Sequence, residues 1–333
     1  MPSTLNPYDV AKHAKRLLRR YLIATWPLLF RRKIIKLAGA GGIETKVYFY
    51  PSFFHFKYNL PSRRHYKNYD CLIQQNFLHK DFISCQKPKI FFTCEPLPEM
   101  TTETREHLQW DSLKPYLFLY SEPDIKKRMF YPAFQSPHAD RGASIKQLED
   151  TLLAKRTKLC CIVNRYRETR GPDLLGERVK FVEAMGKDID IYGRDTKDVP
   201  NTWKTFPNYR GPVQNKIETL RYYNFTIAFE NTDEDGYITE KIFDAFLGGA
   251  IPLYWGGGKY LKETIPSDCY INCRNQDPCE IHQMIRNMSE KDIVPYRRAA
   301  VRFLKSESAR LFTRKYWAER VILRLLSHPG HPI

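Results

Sequence analysis

The chain has 333 residues, of which 42% are apolar and 14% aromatic; this supports ordinary buried cores and excludes a disordered, collagenous or low-complexity protein. Lysine and arginine number 54 against 37 aspartates and glutamates, a formal charge of +17. Residues 1–37 carry nine basic side chains and one acid, residues 293–333 nine and two, and the 255 residues between them 36 and 34. A body so close to neutral does not present the basic stripe of a nucleic-acid-binding enzyme, and no nucleic-acid partner is expected.

The first segment, 1–37, reads as a basic amphipathic leader. Val10, Ala14, Leu17, Leu18 and Tyr21 recur at helical spacing, with Lys12, Lys15, Arg16, Arg19 and Arg20 between them. Such a helix suits an anionic membrane surface as well as it suits plain solvent. The apolar stretch Tyr21–Phe30 contains Pro27 and is far shorter than the roughly 20 residues a membrane span requires. It has no small-residue cleavage site, so a secretory signal is not expected. The eight cysteines form no CxxC pairs, and free thiols in a reducing cytosol are the default.

Residues 38–145 are expected to form an N-terminal α/β domain. Ala38–Gly42 is read as flexible punctuation; it holds a G-x-G, but a strand-like Lys46–Tyr50 follows it where a dinucleotide site needs a helix. Further strands are expected at Tyr69–Ile73, Lys89–Thr93 and Tyr116–Tyr120, and Pro132–Gly142 is the candidate interdomain connection. Residues 146–292 are expected to form a second α/β domain. Strands are predicted at Leu159–Val163, Asp188–Tyr192, Asn224–Phe229 and Ala250–Trp255, and helices at Leu174–Met185 and Ile238–Leu247. This alternation predicts a parallel, doubly wound sheet, whose ligands bind at the C-terminal strand edges. Ile293–Leu326 is expected to be a helix folding back across both domains.

The most informative stretch runs from Phe229 to Lys241: a strand, an acidic loop, then the first turn of a helix. Thr239 is placed to cap that helix, Glu240 meets its dipole favourably, and Lys241 with the free N–H groups could hold a diphosphate while Glu240 accepts from ribose hydroxyls. An ordinary capped helix with solvated charges explains the same residues. A calcium loop does not: Asn231, Asp233, Asp235 and Gly236 fit its early positions, but Ile242 stands where a bidentate glutamate is required. Asp233 and Asp235 as ligands of a divalent ion with a sugar nucleotide is a weaker possibility.

The segment FENTDEDGYITEKIFDAFLGGAIPLYWGG (residues 229–257) strongly resembles the signature of the α1,3/4-fucosyltransferases, glycosyltransferase family 10. The resemblance extends more weakly over Cys160–Gly193, where Val163-Asn164 looks like the family's Ser-Asn loop and Arg178 like its helix-borne arginine. In the first half only residues 90–96 are comparable, an apolar strand ending in Glu95. The resemblance implies an α/β fold of the GT-B type, with two Rossmann-like domains facing a cleft. It implies transfer of L-fucose from GDP-β-L-fucose to a glycan hydroxyl with inversion, at O3 of GlcNAc in an N-acetyllactosamine or Lewis-type unit. It also implies Glu95 as general base, with Glu99 its competitor, and a donor site of Asn164, Arg178, Glu230, Asn231, Tyr237, Glu240 and Lys241. In that site Arg178 and Lys241 neutralise the leaving GDP, so no metal or other cofactor is required, with Mn²⁺ at most a stimulant.

Animal members carry a membrane anchor and paired C-terminal cysteines that are not found here. The expectation is therefore a bacterial-type, cytoplasmic member, peripheral on the inner membrane face through its basic ends. The alternatives are the same fold with another sugar-nucleotide donor, or a non-catalytic glycan- or membrane-binding protein.

Overall fold

The computed structural model describes residues 33–39, 45–50, 54–58, 71–75, 89–92, 117–118, 149, 154–166, 173–194, 202–313 and 316. Two compact units divide the chain. One comprises residues 1–74, 78–90 and 322–333; the other comprises 75–77 and 91–321.

The first sheet has six strands, β1 (Lys33–Gly39), β2 (Thr45–Tyr50), β3 (Phe54–Tyr58), β4 (Cys71–Gln75), β5 (Lys89–Phe92) and β6 (Leu117–Phe118), in the order β3-β2-β1-β4-β5-β6. β2 pairs antiparallel with β1 and β3, while β1 pairs parallel with β4, and β5 with β6. Strands β2, β4, β5 and β6 fall on or beside the four expected positions. β1 and β3 match no expected strand; β1 begins inside the 1–37 leader and runs through Ala38 and Gly39 of the expected flexible punctuation. A glycine near a charged run is a turn signal in isolation, yet strand pairing on both sides of β1 overrides it.

The second sheet is wholly parallel: β7 (Lys158–Val163), β8 (Ile189–Tyr192), β9 (Tyr223–Ile227), β10 (Ile251–Tyr254) and β11 (Ile271–Asn272), ordered β11-β10-β9-β7-β8. The chain is thus α/β, as its alternating pattern implied. Read from the β8 edge the order is 2-1-3-4-5, one of the two common doubly wound arrangements, and it reverses direction between β7 and β9. The inner strand β10 is an apolar run buried along its whole length because helices cover both faces, whereas edge strand β8 alternates buried and half-buried residues.

One face is covered by α1 (Leu175–Met185) and, after a short two-residue-strand edge, α5 (Pro278–Asn287); Phe181, Val182 and Met185 join Ile281 and Ile285 in one core. The other face carries α3 (Glu240–Gly248) and α6 (Glu290–Leu304), where Ile242, Phe243 and Phe246 pack with Ala299, Ala300 and Phe303. Full burial of each such Phe or Ile contributes about 1.5–3 kcal/mol. Two shorter helices, α2 (Lys216–Leu220) and α4 (Leu261–Thr264), lead into β9 and follow β10.

The predicted helices at 174–185 and 238–247 correspond to α1 and α3, each shifted by a residue or two at its start. α3 stops where Gly249 takes the left-handed conformation at φ 69°, which a residue with a Cβ adopts only under strain. The expected single helix from Ile293 to Leu326 is a correction among the described residues: α6 ends at Leu304, and Ser306 restarts the chain as α7 (Glu307–Arg310), its hydroxyl accepting from the Ala309 N–H at 3.3 Å. Residues 314–315 and 317–326 of that segment, the basic leader before Lys33 and the connection at 132–142 lie outside the described residues. Among the described residues no helix is long and apolar enough to cross a membrane.

Candidate functional site

The switch in strand order between β7 and β9 predicts a crevice beyond their C-terminal ends. A pocket of about 140 Å³ lies there, lined at the end of β7 by Val163, Asn164 and Arg165, after β9 by Ala228 and Phe229, and by Lys216, Glu240 and Lys241. That volume is well below the roughly 300–1,000 Å³ that encloses a whole drug-sized ligand, and is on the scale of a phosphate or sugar group. The N-terminus of α3 opens into it, so backbone N–H groups and the positive end of the helix dipole are on hand for an anion.

Strand pairing continues past β9, with the Glu230 N–H donating to the Trp255 carbonyl at 2.9 Å, and this carries the Glu230 side chain beneath α3. Glu230 has no solvent exposure. Its Oε1 accepts from the Thr239 N–H at 2.8 Å and the Tyr254 hydroxyl at 2.9 Å; its Oε2 accepts from the Thr239 hydroxyl at 2.6 Å and Lys241 Nζ at 3.0 Å. Four donors satisfy this buried carboxylate, as a charge removed from water requires. Burial and Glu230 together push the Tyr254 hydroxyl well above its ordinary pKa, so it stays a donor. Gly256 is obligatory here, because a Cβ on it would sit 2.4 Å from Glu230 Cγ.

Thr239 occupies the N-cap position, as the sequence suggested, but its hydroxyl does not cap the helix. It donates to Glu230, the stronger acceptor, which leaves the helix's first N–H groups without that side-chain partner. Lys241 is 12% exposed at its side chain and also lies 3.6 Å from Glu240 Oε1. Burial works to lower the Lys241 pKa, but Glu230 and Glu240 outweigh it and the net shift is upward. Glu240 is opposite in sign: burial works against its ionisation, Lys241 and then Lys216 favour it, and its pKa falls.

Arg178 sits on the buried stripe of α1 with Leu175, Val182 and Met185. Its guanidinium donates to the carbonyls of Phe229 at 2.8 Å and Glu230 at 2.5 Å, and to Asn231 Oδ1 at 3.4 Å. Burial, only partly offset by Glu230, lowers its pKa to about 10, so it remains a cation at neutral pH. Its position is behind the pocket wall, fastening the backbone from which Glu230 hangs.

Of the residues singled out in the sequence, the structure brings Asn164, Glu240 and Lys241 together on the pocket and sets Arg178, Glu230 and Asn231 behind it, while Tyr237 is buried with its carbonyl accepting from the Gly257 N–H. Asn164 is held by its backbone, accepting from Trp203 Nε1 at 2.9 Å, while a Cβ on the facing Gly193 would lie 1.9 Å from the Asn164 carbonyl oxygen. Glu95 lies outside the described residues. Asp233 and Asp235 face cations: Asp233 Oδ1 accepts from Arg274 at 2.6 Å, and Asp235 Oδ2 lies 2.6 Å from Lys259. Trp255 Nε1 and the Gly258 N–H complete the partners of Asp233 at 3.0 and 3.1 Å. Among the described residues no group of three or more His, Cys, Asp or Glu side chains is arranged to hold a metal ion.

Sequence reasoning passed over three residues: Arg165 and Lys216, which line the pocket, and Asp244, which is 2% exposed on α3. The available signal was Asp244 itself, a lone acid among the apolar residues 242–246.

A doubly wound α/β unit with an anion-suited pocket at its switch point defines a nucleotide- or phosphosugar-binding class of domain. Residues 152–298 match the family described as glycosyltransferase family 10 (fucosyltransferase) C-term; this segment of the chain is a domain of that family. The α-(1,3)-fucosyltransferase FucT of Helicobacter pylori is 48% identical over 60 residues, which are 18% of this chain and 12% of that protein. The 4-galactosyl-N-acetylglucosaminide 3-alpha-L-fucosyltransferase 9 of Mus musculus is 26% identical over 143 residues, 42% of this chain and 35% of that one. These matches thus span little more than a third, or less, of the curated relatives' length. A crystal structure of an α1,3-fucosyltransferase superposes with a TM-score of 0.41 at 18% identity, over 79% of this chain and 80% of that one.

Proposed function

We propose that the chain is a fucosyltransferase that moves L-fucose from GDP-fucose to a glycan hydroxyl. The observation that supports this most directly is the pocket at the β7–β9 switch point, where Lys241 is held against Glu230 at the open end of α3. The relatives' names point to the same transferred sugar and, for the mouse enzyme, to the 3-position of an N-acetylglucosaminide. A two-domain arrangement of the GT-B type, with the acceptor bound by the N-terminal half, accompanies this reading.

In the proposed reaction the acceptor oxygen attacks the anomeric carbon of fucose as the bond from that carbon to the GDP oxygen breaks, with inversion. Glu95 takes the acceptor proton. The departing diphosphate is met by Lys241 and the N–H groups of α3, whose charge is in place beforehand and needs no reorganisation. Glu240, ionised beside Lys241, accepts hydrogen bonds from sugar or ribose hydroxyls, and Asn164 offers its amide on the opposite wall. Arg178 acts through the 229–231 backbone. The acceptor is proposed to be O3 of GlcNAc in an N-acetyllactosamine or Lewis-type unit. The proposed location is the cytoplasmic face of an anionic membrane, reached through the basic segments 1–37 and 293–333.

The test is a thermal-shift panel of GDP, GDP-fucose, UDP-sugars and CMP-sugars, with and without EDTA. Stabilisation by GDP and GDP-fucose alone, unchanged by EDTA and lost in Lys241→Ala, is the expected result. Equal shifts with all three nucleotide classes, or none with GDP, would refute the assignment. Flotation with anionic liposomes, equal with and without residues 1–37, would remove the leader from the account.

A further inference from the structure

Asp244 is an anomaly in α3: a carboxylate 2% exposed, flanked by Ile242, Phe243, Ala245 and Phe246, all of them buried. A charge in such a place needs a partner, and it has one in Lys216, whose Nζ lies 3.1 Å from Asp244 Oδ2. Lys216 is not a solvated surface lysine. Its side chain is 21% exposed, it belongs to the segment leading into β9, and it lines the same pocket as Glu240 and Lys241. Sharing that pocket with Glu240, it favours ionisation of that carboxylate, after Lys241. Glu240 is therefore flanked by two lysines, each tethered to a buried acid of its own: Lys241 to Glu230 and Lys216 to Asp244.

We infer that Lys216 is a second cationic contact for the diphosphate of the bound nucleotide, and that Asp244 is the residue that positions it. The inference rests on the nucleotide reading of this pocket. A diphosphate brings at least two negative charges into a site where Lys241 already shares its charge with Glu230 and Glu240, so one lysine leaves the bound anion under-neutralised. Lys216, on α2 beside α3 and held to Asp244, supplies the missing charge. Asp244 orients the lysine at its Oδ2, and Lys216's partial exposure leaves part of its ammonium accessible to the ligand.

The experiment measures binding of GDP and of uncharged guanosine to the full chain by calorimetry or ligand-observed NMR. Four proteins are compared: wild type, Lys241→Ala, Lys216→Arg, and the double variant Lys216→Met with Asp244→Leu. The double variant removes both charges and orphans neither, and its fold is checked by urea unfolding; Lys216→Gln serves if the double variant does not fold. Loss of a charge-assisted phosphate contact is expected to weaken GDP binding by roughly tenfold or more, with guanosine binding unchanged and Lys216→Arg retaining most of the GDP affinity. If the folded double variant keeps GDP affinity within about twofold while Lys241→Ala loses it, the lysine–aspartate pair is purely structural and the inference falls alone. A parallel loss of guanosine binding overturns it too, since that reports collapse of the pocket. Failure of the wild-type chain to bind GDP removes the nucleotide reading and this inference together.

Discussion

The carboxylate of Glu230 and the ammonium of Lys241 stand 3.0 Å apart, the first wholly out of solvent and the second 12% exposed at its side chain. Eleven positions separate them in sequence, across the acidic loop and the helix start. Glu230 thus serves two ends: it closes the β9–β10 strand ends onto α3 through Tyr254 and Thr239, and it presents Lys241 to the pocket.

Removing that carboxylate should therefore damage stability and binding together. Glu230→Ala leaves a buried lysine and two buried hydroxyls without their acceptor, and breaking a buried pair in this way costs about 3–5 kcal/mol. Urea unfolding is expected to show a loss of that order. In whatever fraction remains folded, GDP affinity is expected to drop. A loss below about 1 kcal/mol would mean that the pair adds little to the fold.

Gly256 tests the same contact from outside. A methyl group there would meet Glu230 Cγ at 2.4 Å, Glu230 Cβ at 2.9 Å and the Tyr254 hydroxyl at 3.1 Å. Glu230 cannot retreat without releasing its donors, so Gly256→Ala should destabilise by about 1–3 kcal/mol, as overpacking typically does. Thermal melting of the single variant is sufficient to check this.

A pH prediction concerns the sheet's own polar cluster. Asp190 on β8 accepts from the Tyr223 hydroxyl at 2.6 Å, Lys158 at 2.8 Å and Arg210 at 2.8 Å. Burial works to raise the carboxyl pKa, but the hydrogen bonds from Lys158, Tyr223 and Arg210 prevail and it lies below the ordinary 3.8. Because the folded value is depressed, the stability it contributes is fully present above pH 3.8 and lost as pH falls through the lower folded value. Asp190→Asn should narrow the gap to wild type only in that acid range, with a constant deficit from pH 5 to 8 by denaturant titration.

Glu95→Gln separates chemistry from donor binding. If Glu95 is the base, the variant should lose about 10²–10⁴-fold in transfer rate, the usual share of general-base catalysis, while binding GDP normally. Lost GDP affinity with transfer retained would move Glu95 out of the catalytic role, and full loss in Glu99→Gln instead would pass that role to its neighbour.

Much of the second half was legible in its residues. The alternation of apolar runs with a 3.6-residue pattern specifies β7, α1, β8, β9, α3 and β10 because each element buries its own periodic face whatever its neighbours are. The glycines after α3 and β10 punctuate the chain for the same local reason, and the Tyr-Ile-Thr-Glu-Lys turn places Glu240 and Lys241 at a helix start without any knowledge of the sheet. Length, apolar content and the segregation of charge to the two ends were likewise properties of the chain alone.

What only the tertiary structure decided is where the buried charges look. Local spacing makes Thr239 a cap, but Glu230, brought beneath it by the pairing of β9 with β10, is the stronger acceptor and takes its hydroxyl. The family resemblance implies Arg178 as a contact of the leaving GDP; the packing of α1 sets its guanidinium on the carbonyls of residues 229 and 230. Lys216 and Asp244 are 28 positions apart and share no motif; α2 and α3 packing side by side makes them a pair. Side-chain charge partners are set by distance in space, which no periodicity along one strand or helix encodes, whereas the elements that carry those charges are set by burial, which periodicity does encode.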